Sequence, residues 1–452
     1  MSENGIRDAS SLGMPRMLLL GLQHMFAMFG ATVLVPVLTG LPVATTLLFA
    51  GLGTLLFHFL TKRKVPAFLG SSFAFLGGYA GVEALFHDTG VNWIPYAGAA
   101  VGLAGLTYVA LAALFKAFGA RRVMRFFPPI VTGPVIICIG LCLANSAINN
   151  CVTNWWIALA AIVIVVVCNI WGKGMIKIIP ILLGIVGSYV LAAVFGQVDF
   201  SAVRTAPWLG HAINPDNTVL AMRNGLDVPK LISAYVIMVP ISLATMIEHV
   251  GDICAISSTV DQNFVADPGL HRTLLGDGLA TSLAAMFGAP ANTTYGENTG
   301  VLALTKVYDP EVIRMAAAFA MLLSCCPKFS ALISCMPAAT IGGVSLILYG
   351  MISAVGVRNV VENQVDFTKS RNIIIAALIM GLSLGINFSA AGAIVLGPVS
   401  LSGLAVGALV GILLNAVLPG NDYEFGNDLQ GDTAVNFQQG VDRVTDHKKK
   451  KK

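Results

Sequence analysis

Apolar residues run along most of this chain in stretches too long and too uniform for the one-sided pattern of a surface helix or the alternation of a strand. Between about residues 17 and 418 these stretches recur, many about 20 residues long, the length at which a helix crosses a ~30 Å hydrocarbon core. They predict helices at 17–38, 42–61, 93–117, 127–145, 155–171 and 177–196. After a polar stretch reaching about residue 230, they predict further helices at 231–256, 273–289, 310–328, 330–352, 371–388 and 399–418. Two more stretches, 66–82 and 291–305, are apolar but interrupted by Pro, Gly, Ser, Thr and Asn. The pattern is therefore about fourteen spans, seven on each side of the polar stretch.

The two halves repeat. Gln23-His24 in the first span is answered by Glu248-His249 in the eighth, 225 residues on (23 to 248). PAFLGSSF, Pro66 to Phe73, is answered by PANTTYGE, Pro290 to Glu297, 224 on (66 to 290). Pro128, Gly133 and Val135 in the fifth span recur as Pro337, Gly342 and Val344 in the twelfth, 209 on (128 to 337). Because each half has an odd number of spans, the second enters the membrane from the opposite face, giving an inverted repeat of the kind found in secondary transporters. The predicted fold class is an all-α polytopic membrane protein with a 7+7 inverted repeat, its third and tenth segments broken by short extended (β) pieces.

The broken segments carry the candidate chemistry. Pro, Gly, Ser, Thr and Asn make both poor helix, and irregular backbone at membrane depth survives only inside protein or along a polar cavity. The two extended pieces are expected to pair near the midplane, each leading into a half-helix (AFLGGYAGV and NTGVLALTK) whose free N–H groups carry the positive end of the helix dipole. There Gly296 lets a ligand approach the backbone, Glu297 offers a carboxylate and Tyr295 an aromatic wall. Glu248, His249 and Asp252 stand in the otherwise apolar SLATMIEHVGDICAIS. Acids inside a span are costly and usually face a cavity, acting on ions or substrate. Glu248 and Asp252, four apart, share a helix face and are candidates for reversible protonation. His249, about 100° away, is expected to make an interhelical contact. His24 is a candidate for either a helix contact or the site.

Composition agrees. Hydrophobic residues make up 56% of the 452 and charged ones 11%, with mean hydropathy +0.79, against about 25% charge in soluble domains. The net charge of +4 matters less than its placement. Lys62, Arg63 and Lys64 follow the second span, Lys116, Arg121, Arg122 and Arg125 the fourth, and Lys173 and Lys177 the sixth. Lys306 and Arg314 follow the tenth, Arg358, Lys369 and Arg371 the twelfth, and Lys448 to Lys452 end the sequence. By the positive-inside rule both termini are expected in the cytoplasm, the final lysines as a solvated tail. The polar N-terminal stretch lacks the small-residue cleavage site of a secretory signal, so the first span is expected to be retained. The eight cysteines follow no metal or redox spacing and are expected to pack. With no H-E-x-x-H or G-x-S-x-G motif the chain is not expected to be an enzyme. No cofactor, metal or nucleic-acid partner is expected.

The segments LQHMFAMFGATVLVP, VPAFLGSSFAF, IEHVGD, DPGLHR, NTTYGENTGVLALTKVY and GGVSLILYG resemble the nucleobase–ascorbate transporters, also called nucleobase:cation symporter-2, and within them the bacterial uracil permeases. The resemblance runs from about Gln23 to Pro419. Its most specific mark is Glu297-Asn298-x-Gly300-x4-Thr305-Lys306, where relatives carrying xanthine or urate usually have Gln first. It implies proton-coupled uptake of uracil across the plasma membrane, and usually a homodimer in the bilayer. It also implies a core domain (17–117 and 231–328) and a gate domain (118–200 and 329–418), with a cytoplasmic tail at 1–16, an extracytoplasmic loop at 201–230 and a second tail at 419–452. Carried over by position, Glu248 and Glu297 would bond the ring N–H groups of uracil. Backbone amides of Phe73 and Gly296 would face its carbonyls, and Ala31, Tyr295 and Tyr349 would line the pocket. Proton coupling would fall to Glu248, Asp252 and His24. The chain departs from the uracil permease pattern at Asp252, where that pattern has His and xanthine carriers often have an acid. Uptake of xanthine, urate or a broader set of purines is therefore the alternative. Anion exchange would set two acids against the substrate.

Overall fold

The structure is a computed structural model describing residues 5–420 except 88, 391, 397 and 398. At 10, 121, 224, 296–298, 395, 396, 399 and 400 only the backbone is described. The chain opens with α1 (Met14–Thr39) and α2 (Val43–Leu60), followed by strand β1 (Leu69–Ser71), half-helix α3 (Leu76–Ala84) and α4 (Ile94–Phe118). Then come α5 (Pro129–Val152), α6 (Trp155–Ile170), α7 (Pro180–Val194), α8 (Val228–Met238), α9 (Ile241–Val260) and α10 (Leu270–Met286). Strand β2 (Asn292–Thr294) leads into half-helix α11 (Gly296–Thr305), followed by α12 (Pro310–Ser324), α13 (Pro327–Ser334), α14 (Ala338–Glu362) and α15 (Ser370–Asn387). A hairpin, β3 (Ala393–Leu396) and β4 (Val399–Ser402), and α16 (Gly403–Val417) complete the described chain.

Among the described residues, seven helices are long and apolar enough to cross a membrane, counting α8 and α9 as one, while α6, α7 and α16 are shorter and apolar. Their ends follow local rules. Gly40 at φ 70° closes α1 in the left-handed conformation. Asn154 caps α6 by accepting from the N–H groups of Trp156 and Ile157. Some polar residues inside the helices are satisfied locally, as where Thr32 and Thr39 donate to the carbonyls of Met28 and Val35 one turn back.

The helices pack in two groups. In one, α4 lies against α10 and α8, and α2 against α10 and α12, which also packs on α1. In the other, α5 packs on α14, α15 and α16, and α6 on α7 and α14. Contacts of α9 with α5 and α16, and of α1 with α7, join the groups.

The repeat is visible in the contacts. β1 and β2, one from each half, pair antiparallel with Leu69 opposite Thr294, Gly70 opposite Thr293 and Ser71 opposite Asn292. The 224-residue shift exchanges the first two of these pairs. In the α5–α14 packing a Cβ on Gly133 would touch Val360 and the Gly356 carbonyl, and one on Gly342 would touch Cys151 and the Ala147 carbonyl. These are the same contacts seen from either end, related by the 209-residue shift. Pro128 and Pro337 occupy equivalent N-cap positions.

Three expectations are corrected. The stretch 330–352 does not form one helix. Residues Pro327–Ser334 form α13, bent 89° from α12, and α14 begins only at Ala338, because Pro337 cannot continue a helix. Residues 399–402, expected to open the last span, belong to the β3–β4 hairpin. The half-helix of the tenth segment starts at Gly296, two residues earlier than its expected beginning at Asn298.

Candidate functional site

The site lies where β1 and β2 hand over to their half-helices and α9 passes beside them. Small residues let these pieces meet. A Cβ on Gly70 would fall 2.4 Å from the Tyr295 ring, so only glycine admits that ring against the strand. The Tyr295 hydroxyl donates to the Ser71 carbonyl at 2.9 Å, holding the start of α11 to β1. Tyr295 is the N-cap of α11. On the other strand, Leu76 donates its N–H to the Phe73 carbonyl as the chain turns into α3.

A cavity of about 20 Å³ opens among Phe73, Glu248, Asp252, Thr293 and Tyr295 on one side and Ile136, Ile352 and Val355 on the other. The first set comes from the β1–α3 connection, β2, the start of α11 and α9. The second comes from α5 and α14. The polar groups and the facing aliphatic wall thus stand on different elements, and α9, which carries Glu248 and Asp252, itself packs against α5 and α16. At about the room one water needs, the cavity is far below the ~300–1,000 Å³ of a formed ligand pocket.

The polar wall is buried and wired. Asp252 is 3% exposed and accepts from the Thr294 hydroxyl at 3.1 Å. That hydroxyl also lies 3.3 Å from Nδ1 of His249, and Nδ1 lies 2.8 Å from Oδ2 of Asp277, both side chains being fully buried. The contact is close without being aligned as a hydrogen bond, and neither carboxyl oxygen of Asp277 has a hydrogen-bond partner among the described residues. The chain of contacts Asp252–Thr294–His249–Asp277 ties α9, β2 and α10 together behind the cavity. Thr293 Oγ1, by contrast, is buried without a hydrogen-bond partner among the described residues, and Thr293 lines the cavity.

Of the residues singled out from sequence, Glu248, Asp252, Phe73 and Tyr295 come together around this cavity. Glu248 is half-buried. Gly296 opens α11, while the Glu297 side chain lies outside the described residues. Tyr349 and Ala31 are buried but are not among the lining residues. Tyr349 stands behind Phe73, ring edge to ring face at 5.6 Å and 76°. His24 is buried, and neither ring nitrogen has a hydrogen-bond partner among the described residues. His249 makes the interhelical contact expected of it. Sequence reasoning missed Thr293, Thr294, Asp277 and the apolar wall of Ile136, Ile352 and Val355. For Asp277 the signal was the one used for Glu248, an acid within a span, here on α10.

Residues 15–392 match the family model Xan_ur_permease, described as "Permease family". The chain is 39% identical over 428 residues to the uracil permease of Bacillus caldolyticus, covering 92% of this chain and 94% of that protein. It is 40% identical over 411 residues to the uracil permease of Bacillus subtilis, covering 88% and 91%. Among solved structures, the transmembrane domain of a cyanobacterium bicarbonate transporter, BicA, matches with TM-score 0.57 at 15% identity, over 91% of this chain and 99% of that one. At that identity the match speaks for the fold alone, the 7+7 inverted repeat expected from sequence. The chain is a multi-pass membrane permease and belongs to the nucleobase–ascorbate transporter family.

Proposed function

We propose that this permease takes up uracil together with protons across the cytoplasmic membrane by alternating access. The observation that carries the reading is the division of the cavity: its polar lining groups come from α9, β2 and the start of α11, and the facing wall of Ile136, Ile352 and Val355 from α5 and α14. A flat neutral ring with two N–H donors and two carbonyl acceptors suits such a place. Its polar edges meet the acids, amides and hydroxyl of one wall, and its face meets the apolar wall. Thr293 Oγ1 supports this, since a buried hydroxyl without a partner costs ~1–3 kcal/mol that a polar ligand can recover. The relatives named uracil permease supply the substrate.

In this reading Glu248 and Glu297 accept from the ring N–H groups, and backbone amides at Phe73 and Gly296 donate to the carbonyls. Tyr295 and Phe73 shape the pocket, with Tyr349 and Ala31 joining as it enlarges. The proton resides on Asp252 or Glu248, with His24 assisting. Through Thr294 a change of charge on Asp252 is felt by His249 and Asp277. Helices of 17–117 and 231–328 act as the core and those of 118–200 and 329–418 as the gate. Enlarging a one-water cavity to hold a ring requires these two bodies to separate, and the same separation provides access. Both termini lie in the cytoplasm and the protein works as a homodimer.

Glu248→Gln and Asp252→Asn, purified and reconstituted, test the assignment. Glu248→Gln is expected to lower uracil uptake at least 100-fold. Asp252→Asn is expected to keep uracil counterflow while losing accumulation driven by a proton gradient. Wild-type uptake by Glu248→Gln would refute its role in binding. The second reading, a purine carrier, is favoured by the placing of Asp252 on the cavity wall, and competition by xanthine decides it.

A further inference from the structure

A second cavity, much larger than the first, lies one helical turn from it. It measures about 410 Å³ and runs between α1, α3 and the start of α9 on one side and α5, α15 and α16 on the other. Its relation to the central cavity can be read residue by residue. Ile139 lines the large cavity and Ile136, one turn back on α5, the small one. Ala74 lines the large cavity and Phe73, its neighbour, the small one. The Phe73–Tyr349 ring contact stands at this level. By the distribution of basic residues the large cavity faces the outside.

Its lining is unusual for a path through apolar helices. Asn145, Ser146, Asn149 and Asn150 of α5 and Asn387 of α15 all border it, opposite Glu83 and the backbone of Gly77 and Gly78 on α3. Asn145 and Asn149, four apart, share one helix face and are exposed. Asn387 is already engaged, donating to the Cys142 carbonyl at 3.2 Å and fixing α15 to α5. A row of carboxamides presents paired donors and acceptors at the spacing of an amide edge, which is the edge of a neutral nucleobase. The volume falls within the range of small-molecule pockets.

We propose that this vestibule is a first station for the substrate: a weak site where Asn145 and Asn149 hold a neutral nucleobase by its amide edge before the Phe73–Tyr349 level opens to the central cavity. The proposal rests on the nucleobase reading above. Exposed amides keep their competition with water, so the station is loose and serves to raise the frequency of productive entry. Replacing both amides should therefore slow uptake below saturation more than at saturation.

Cys142, which lines the same vestibule, is a built-in reporter. Its labelling by a membrane-impermeant maleimide, quantified at that residue by peptide mass spectrometry, would be followed with and without millimolar uracil in Glu248→Gln, where the central site is disabled. Slowing of labelling at least threefold by uracil in Glu248→Gln, lost when Asn145→Leu and Asn149→Leu are added, is the expected result. In the otherwise wild-type protein the two leucine changes are expected to lower kcat/KM for uptake about five- to tenfold, with kcat changed less than twofold. Unprotected Cys142 in Glu248→Gln, or protection indifferent to the two asparagines, would overturn the vestibule station. Wild-type uptake of labelled uracil in the same preparation separates the two claims. Its absence refutes the transport reading, whereas uptake without protection refutes the station alone.

Discussion

Asp277 is fully buried and faces His249 across 2.8 Å, and this pair anchors the polar chain that ends at Asp252. Breaking a buried pair by removing one partner leaves the other uncompensated and costs about 3–5 kcal/mol. Asp277→Ala is accordingly expected to lower the thermal midpoint of the detergent-purified protein sharply, and Asp277→Asn, which keeps the side chain's size and a polar oxygen beside His249, much less. Equal midpoints for Asp277→Ala and wild type would show that the pair carries no stability. Asp277 was harder to read from sequence than Glu248 and Asp252. Those two interrupt a strongly apolar run, whereas Asp277 stands between Gly276 and Gly278, less than two turns after His271 and Arg272, a setting that carries no mark of burial. Thr293 and Thr294 lay in the quoted motif, yet only the pairing register decides which of them turns to the cavity and which to Asp252.

At the scale of elements, the strand pair was legible because Pro, Gly and hydroxyl residues exclude helix in two apolar segments at matching places in the two halves. Its register was not, because three-residue strands carry no alternation from which to read one. The β3–β4 hairpin escaped for a related reason: short apolar runs look alike as strand and helix, and AIVLGPVSLS leads directly into an apolar helix. Pro337 did mark the start of α14, and an apolar run drawn across it obscured the mark. Gly70 offers the most direct test of the strand pair. An added methyl would meet the Tyr295 ring at 2.4 Å, and the ring or the strand must give way. Gly70→Ala is expected to raise the KM for uracil at least tenfold with membrane insertion unchanged, since the two helix groups do not depend on that contact. An unchanged KM would remove Tyr295 from the account of the pocket.

Over the whole molecule, the account requires two bodies that slide. Gly30 lies where α1 crosses α7, and a Cβ there would fall 2.5 Å from Ile181 Cγ2. Gly30→Val is expected to stop uptake at least tenfold more severely than it weakens equilibrium binding of uracil, because it obstructs the passage between bodies and leaves the polar wall intact. Matched losses of binding and uptake would argue that α1 and α7 do not move past each other. The central claim is that the polar wall binds uracil and couples it to protons. The most direct test reconstitutes the purified protein in liposomes, imposes an inward proton gradient and follows labelled uracil with unlabelled xanthine as competitor. Accumulation above equilibrium that collapses with a protonophore and is untouched by xanthine is the predicted result. Uracil uptake that ignores the gradient, or that xanthine blocks, would contradict the account.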